Sequence, residues 1–580
     1  MNPTEPRLLR VETVADLPIL WATFQRMDLL ATLERQFPPP LHWKGPLTPG
    51  EVLAIWLLFL VSQGDHCLNH VEPWVECHQG TLSALVGKPV RPADAQDDRL
   101  ADWLTKLGAD GVFSSLEQTL NEQTIRVYQL PTNLVRIDTT TANSYAGIVS
   151  DRGILQFGHS KDDPDRPQIK IAAAILDPLA MPLVTAVVPG NVADDPLYIP
   201  TIRSVQKSLG VGGRTYVGDC KMAAFATRAF VAAGKDFYLC PLSESQLSRA
   251  RRVGLLEPVW AGTQAVEQVW RPGPDGQSQE LVAEGFGLDV TLTGTVENQE
   301  VTWTEHRWLV RSMSYAASQE AGLERRLAAA VAEVRGLTAR KQGKKRLTET
   351  ELAKASEAVM ERERVSGLLC VSVGQVQTTR SKRGYAGRPG HDEVEVSWVV
   401  EVASDEEAIQ QKKREMGWQV YGTNQSGMGL TQVVWAYRGQ YRIENDWSRL
   451  KGQPLGLTPM YLQDEERIAG LVYLLSLALR ILVLVEWVVR EKLRQDKKKL
   501  RDIYPGQPGR KTMTPSAELL LGAMKSISIS VVEVNGQIHI MLAPLTKLQK
   551  ELLDLWGLPP DFYENVTRGF PKPHPNTSEP

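Results

Sequence analysis

The pattern of apolar and polar positions changes character several times along the chain. Up to about residue 130 the spacing is helical. Thr48-Pro49-Gly50-Glu51 has the form of a capping box with proline at the first helical position, and it launches the apolar run VLAIWLLFLV. Leu100, Trp103, Leu104 and Leu107 recur at i, i+3, i+4 and i+7, and Gly108 follows as a helix stop. No helix-turn-helix pattern is evident there.

Near Asn133 the texture becomes that of strands. LVRID (134–138), IKIAAAIL (169–176), LVTAVV (183–188), RTYVGD (214–219) and DFYLC (236–240) are short runs rich in Val and Ile, punctuated by Gly, Pro and Asp. MAAFATRAFVAAG, between the last two, is helical. Three closely spaced strands followed by strand, helix and strand predict a mixed sheet with helices on its faces.

From about 245 to 425 that pattern is interrupted. GLDVTLTGTVENQEVTW and HRWLVRSM read as antiparallel strands. Leu323, Leu327, Val331, Val334 and Leu337 then recur at steps of three and four. A basic break, RKQGKKR (340–346), separates this helix from a second, TETELAKASEAVMERERV, which predicts a helical hairpin. Strands return at LLCVSVGQV and EVEVSWVVEV. The stretch reads as an insertion, because a compact sheet has no need of so long a structureless connection.

The polar helix YRGQYRIENDWSRLKG (437–452) and a long apolar helix follow. A basic run, KLRQDKKKLR, and the turn-rich YPGQPGRK come next. The tail holds SAELLLGAM and then ISISVVEV-NG-QIHIML, where Asn535-Gly536 between alternating strands signals a hairpin. The last ten residues read as disordered. These shifts divide the chain into a helical region (1–130), a first core segment (131–244), an insertion (245–425), a second core segment (426–495) and a C-terminal α+β region (496–580).

Composition changes this picture little. Of 580 residues 42% are hydrophobic and 23% charged, as in ordinary folded proteins, and the length predicts several domains. A net charge of −3 excludes a uniformly basic nucleic-acid binder but not local basic patches. The N-terminus MNPTEPRLLR lacks the apolar core of a secretory signal. Five scattered cysteines suit a reducing cytosol. The run IAGLVYLLSLALRILVLVEWVV (468–489) is long enough to span a membrane, yet it carries Arg480 and Glu486, so a helix buried inside a large protein is the expectation.

The chemistry gathers on carboxylates. Read as one helix at 100° per residue, 437–451 places Tyr437 and Lys451 each about 20° from Glu444 and Gln440 about 40° away, so the four share one face. Arg438, Arg442 and Arg449 lie roughly 120° to 160° from Glu444. A solvated face of mixed charge is the plain reading of such a helix. Asp138 and Asp219, however, each end an apolar strand, where a sheet exposes functional groups. Glu444 brought beside them would make a triad that repels itself unless divalent cations intervene. Hard oxygen ligands suit Mg²⁺ or Mn²⁺, and two such ions serve phosphodiester chemistry.

These features together resemble the DDE transposases of bacterial insertion sequences, with a ribonuclease-H-like core. The resemblance is to the branch with a Y-x2-R-x3-E-x6-K signature and an insertion before that helix. Tyr437, Glu444 and Lys451 match the spacing, whereas position 440 is Gln instead of Arg. IDTTT, GHSKDDPDRPQIKIA, the PGN of Pro189 to Asn191 and VGD are similar to the family too. The resemblance covers roughly 130–240 and 415–490. It implies an α/β, ribonuclease-H-like mixed-sheet core split by the β-rich and helical insertion. It implies that Asp138, Asp219 and Glu444 hold two ions, Mg²⁺ or Mn²⁺, with water and then a 3′-hydroxyl as attacking groups. Tyr437, Gln440, Lys451, Arg438 and Arg442 become the candidate DNA contacts. Transposon ends and target DNA become the partners of a homodimer, in the bacterial cytoplasm at the nucleoid, with no membrane. The alternative is an inactive or host-retained DNA-binding protein derived from a transposase. A coiled-coil interaction protein, based on residues 317–365, would leave the strand-end aspartates unexplained.

Smaller signals stay open. His66, Cys67, His70, Cys77 and His78 could bind zinc, but their spacing fits no standard finger and plain packing is the expectation. SKRGYAGRPG (381–390) is either a phosphate-following segment or an exposed loop. KLRQDKKKLR is either a DNA contact or a solvated helix end. His159 and Lys161 either approach the active site or sit on a surface loop.

Overall fold

Five strands are placed by the sequence where apolar runs stop and start, and they form one sheet. A computed structural model describes residues 6–41, 43–146, 152–160, 162–273, 278–339, 347–383 and 391–572. In it the strands lie in the order Met181–Pro189, Gln168–Leu176, Leu134–Asn143, Thr215–Val217, Phe237–Pro241. Gln168–Leu176 runs antiparallel to both of its neighbours, and the last two strands run parallel to Leu134–Asn143. This is the mixed sheet the spacing predicts. It belongs to a unit formed by Met1–Cys240, Thr293–Thr302 and Tyr437–Pro580.

Helices complete that unit. The capping box at Thr48 is present in both directions, with Glu51 N–H donating to Thr48 Oγ1 and Thr48 N–H to Glu51 Oε2, and it starts the buried helix Pro49–Gln63. The helix Asp97–Gly108 packs against the long helix Glu465–Gln495. Gly108 is not a left-handed stop. A side chain there would strike the carbonyl of Glu466, and one at Gly470 would strike that of Leu104. The two glycines let the helix backbones touch.

The long helix has the length and hydropathy of a membrane span, but 89% of its most apolar window is buried inside the fold. Its charges are answered there. Arg480 donates to Asn121 Oδ1 and to the Pro182 carbonyl, both at 2.7 Å. Glu486 accepts from Arg449, from Arg490 at 2.9 Å and from the Ala517 N–H at 2.8 Å.

The sheet edge at Met181–Pro189 is covered as well. Asn121 donates to the Leu183 carbonyl, and Glu117 accepts from the Thr185 N–H. Side chains thus satisfy backbone groups that an edge strand would otherwise leave open. At the C-terminus Asn535 and Gly536 take positive φ between Ser528–Val534 and Gln537–Leu542, the two-residue hairpin turn their sequence predicts. One element was not anticipated in the helical N-terminal region. Arg7–Thr13 is a strand, and it pairs with Ser528–Val534, far away in sequence.

The second unit comprises Pro241–Leu292 and Trp303–Ala436. Its strands run in the order Trp418–Thr423, Gln299–Ser312, Gln279–Val296, Glu267–Pro272. Leu247, Leu256, Phe286, Leu309, Trp418 and Val420 form one small core. The helices Met313–Gly336 and Glu349–Arg362 make the predicted hairpin, with Leu323, Ala330 and Val334 packed among Leu352 and Val359. Leu369–Lys382 and His391–Ser404 form a two-stranded antiparallel ribbon. RKQGKKR, Lys161, most of SKRGYAGRPG and 573–580 lie outside the described residues.

Candidate active site

Asp138 does not end its strand. The β-branched run Thr139-Thr140-Thr141 continues it to Asn143, and Asp138 pairs with Ala173 on the antiparallel neighbour. The parallel neighbour does stop. Its last residue, Val217, pairs with Arg136. Two residues beyond that pair, on each chain, come Asp138 and Asp219. The two aspartates therefore occupy equivalent positions just past the carboxyl end of the parallel pairing.

Each aspartate is held by an aromatic donor. Trp447 Nε1–H donates to Asp138 Oδ2 at 3.0 Å. Tyr198 O–H donates to Asp219 Oδ1 at 2.6 Å, and the Lys221 N–H adds a second bond to the same oxygen at 2.9 Å. Burial pushes the Tyr198 hydroxyl well above its ordinary value, and the charges of Asp219, Asp138 and Asp194 add to the effect. Tyr198 therefore stays a proton donor, and it lies within the field of both aspartates.

The segment 437–451 is two helices, not one. Leu430–Arg438 ends, Gly439 and Gln440 turn, and Tyr441–Lys451 begins. The turn is closely packed. A side chain at position 439 would sit 2.1 Å from Arg136 Nη2 and 2.5 Å from Arg442 Nη1. Glycine at this position lets the backbone approach two guanidinium groups. Despite the break, Tyr437 remains near Glu444. Burial raises the Tyr437 hydroxyl above its ordinary value, and the charges of Asp219, Cys220, Cys240 and Glu444 raise it further. Tyr198 thus senses Asp138 and Asp219, and Tyr437 senses Asp219 and Glu444.

On Tyr441–Lys451, Ile443, Asp446, Trp447 and Leu450 are buried, while Glu444 is exposed. The arginines of the helix are anchors. Arg442 donates to Asp177 Oδ1 at 3.1 Å, and the buried Arg136 donates to the same oxygen at 2.7 Å. Arg449 pairs with Glu486 and with Glu518. Gln440, standing where the signature has Arg, turns inward, with its Nε2 3.5 Å from the Ile137 carbonyl, next to Asp138. Arg438 is half-buried at the end of its helix. Lys451 lies 3.3 Å from Asp162 in an exposed pair.

Ser160 and Asp163 are tied to the end of the Asp138 strand. Asn143 donates to the Asp163 carbonyl, and Ser160 to Asn143 Oδ1. His159 is exposed. The PGN turn packs on the same region, with Gln168 Nε2 donating to the Gly190 carbonyl. Just after it, Asp194 accepts from Lys170 and Thr139. Burial pushes the Asp194 carboxyl up, but those bonds outweigh it and hold the group below its ordinary value.

Among the described residues no lysine or arginine pairs with Asp219 or Glu444. Such uncompensated carboxylates fit a divalent cation. Ligands of a single ion would crowd together, and one group among the described residues has its ligand atoms within 4.8 Å of one another: Asp65, Cys67 and His70. Asp138, Asp219 and Glu444 do not form such a group. The other members of the His/Cys set are packed elsewhere. His66 bonds the Leu455 carbonyl, and His78 stacks on Trp74. In KLRQDKKKLR, the helix ends at Gln495 and Lys497 to Lys499 are exposed.

Tyr198, Trp447 and Asp177 escaped the sequence reading. An aromatic residue three positions after the glutamate was the one available signal, since that spacing puts it about 60° from Glu444.

A family model for the DDE transposase domain matches residues 136–481, more than half of the chain. The protein belongs to that family of transposases. No curated protein is significantly similar. Among solved structures, the chain is similar to a piggyBac transposase synaptic complex with hairpin DNA, studied by electron cryo-microscopy. The identity is 9%, 97% of this chain and 87% of that one are covered, and the TM-score is 0.36. A likeness so distant carries no argument about the site.

Proposed function

We propose that this protein is an insertion-sequence transposase with a ribonuclease-H-like core, cleaving DNA at transposon ends and joining the freed ends to target DNA. The observation that carries the reading is the equivalent placement of Asp138 and Asp219, each two residues past the parallel pairing of Arg136 with Val217, with the Glu444 helix fastened to Asp138 through Trp447. Asp138, Asp219 and Glu444 would hold two divalent cations, Mg²⁺ or Mn²⁺. When bound, such ions lower the barrier to phosphodiester exchange by polarising the attacking oxygen and stabilising the leaving one.

The chain's own residues supply the rest. Tyr437, protonated and close to Glu444 and Asp219, offers a neutral donor to a DNA phosphate oxygen. Lys451 would exchange its weak exposed pair with Asp162 for a phosphate. Arg442 is committed to Asp177 and acts as a support of the helix more than as a DNA contact. Gln440 likewise braces the strand before Asp138. The protein would act as a homodimer on paired DNA ends at the bacterial nucleoid.

The test is strand cleavage of DNA carrying the element's terminal repeats. Nicking at the repeat boundary with Mg²⁺, lost in EDTA and in Glu444→Ala, is the expected result. Binding to those ends without cleavage at any metal concentration would favour an inactive DNA-binding derivative.

A further inference from the structure

We propose that Trp447 and Tyr198 are positioning residues that set the metal affinity of the site, by fixing one oxygen each of Asp138 and Asp219. This rests on the reading of those aspartates as metal ligands. Trp447 donates its indole N–H to Asp138 Oδ2 at 3.0 Å. Tyr198 donates its hydroxyl to Asp219 Oδ1 at 2.6 Å.

Elsewhere in the interior, bonded aromatic donors reach backbone carbonyls, Trp556 that of Val485 and Tyr563 that of Ala15. Among the described residues, the buried indole nitrogens of Trp21, Trp56, Trp74, Trp103 and Trp308 have no partner, and neither does the buried hydroxyl of Tyr216. The indole of Trp447, a turn beyond Glu444, reaches the carboxylate of Asp138 instead.

The chemical type of the donor matters. An arginine or lysine on the carboxylate would neutralise it and compete with an incoming cation. An indole or a phenol hydroxyl orients the carboxylate and leaves its full negative charge in place. A bond to one oxygen fixes the carboxylate's rotamer, so a cation binding there loses less side-chain freedom. Trp447 adds a second function. It lies on the helix of Glu444, so the same bond that orients Asp138 sets the distance between the strand and that helix.

Outer partners of metal ligands are worth roughly 10- to 100-fold in metal affinity or activity. Trp447→Phe and Tyr198→Phe each remove the donor and keep a ring in the core. Mn²⁺ binding to the full chain, followed by electron paramagnetic resonance, reads the affinity without DNA or turnover. A Mg²⁺ titration of strand cleavage is the second measurement. Each variant is expected to weaken Mn²⁺ binding by about 10-fold or more and to shift the Mg²⁺ dependence to higher concentration, with binding to the DNA ends in EDTA unchanged. Trp56→Phe, in a buried residue with no such bond, is expected to leave Mn²⁺ binding as it is.

Unchanged Mn²⁺ affinity in either folded phenylalanine variant would overturn the proposal for that residue. If Trp447→Phe fails to fold, Tyr198→Phe decides the proposal by itself. Asp138→Ala separates the two levels. Mn²⁺ binding that survives it removes the metal-ligand reading itself, whereas binding lost in Asp138→Ala but intact in both phenylalanine variants overturns the positioning role alone.

Discussion

Around the Glu444 helix, two sets of carboxylates are answered in opposite ways. Asp177, Glu486 and Glu518 receive the protein's own cations: Arg136 and Arg442 on the first, Arg449 on the other two. Asp138 and Asp219 receive an indole and a phenol. The residue types are the same, and their partners separate the roles. A carboxylate matched to an internal guanidinium fixes one element to another. The donors on the second pair are uncharged, so these two bonds orient the carboxylates without neutralising them. The arginine-rich stripe of the helix thereby acquires a meaning: it fastens the helix so that Glu444, on another face, is presented in a set place.

The comparison is broken most severely at the second set. On the proposed function, replacing Asp138, Asp219 or Glu444 with Ala removes a metal ligand worth several kcal/mol of transition-state stabilisation, a loss on the order of 1,000-fold or more. Strand cleavage should be abolished, with binding to DNA ends retained in a gel-shift assay. Retained cleavage in any one variant would remove that residue from the site.

At the first set the effect should fall on stability. Asp177→Ala leaves Arg136, 1% exposed, and Arg442 without their shared counter-charge. Removing one partner of a buried ion pair costs about 3–5 kcal/mol. Urea unfolding should show it, together with weaker cleavage as the helix loses its anchor. Gly439→Ala brings a methyl group against the same two guanidiniums and is expected to cost about 1–3 kcal/mol.

A third buried carboxylate sharpens the contrast by its pH dependence. Burial pushes Glu117 up to about 8 from 4.5, although Arg480 and the Thr185 N–H oppose the shift. Its folded form holds a proton that the unfolded chain has released. Stability should therefore fall as pH rises from about 4.5 to 8, by an amount of order several kcal/mol. Glu117→Gln should flatten that decline in denaturation curves taken across this range.

The smallest effect is expected at the surface. The Lys451–Asp162 pair is exposed, so Asp162→Asn should change stability by less than about 1 kcal/mol. It should nevertheless tighten binding to DNA ends, because Lys451 no longer has to leave a carboxylate. Unaltered DNA affinity would exclude Lys451 as a phosphate contact limited by that pair.

What could be read beforehand were features with local causes. Apolar runs bounded by turn residues located the strands around Asp138 and Asp219. Thr48 and Glu51 marked a helix start, and Asn535-Gly536 a hairpin. The features that escaped depend on residues distant in the chain. Nothing near Gly439 says that Arg136, some three hundred positions earlier, will lie against its backbone. The strand 134–143 was cut short at Asp138 because a polar run reads as a loop, whereas the threonines are held by the neighbouring strand at 168–176. Arg7–Thr13 pairs with a strand at the other end of the chain, which no window of sequence contains. Trp447 and Tyr198 look like core aromatics until the carboxylates they touch are placed.

Strand cleavage tests the central claim most directly, with purified protein, DNA ending in the element's own terminal repeats, and Mg²⁺ or EDTA. The account predicts metal-dependent nicking at the repeat boundary that disappears in Glu444→Ala. Cleavage that persists in Glu444→Ala or in EDTA would contradict it.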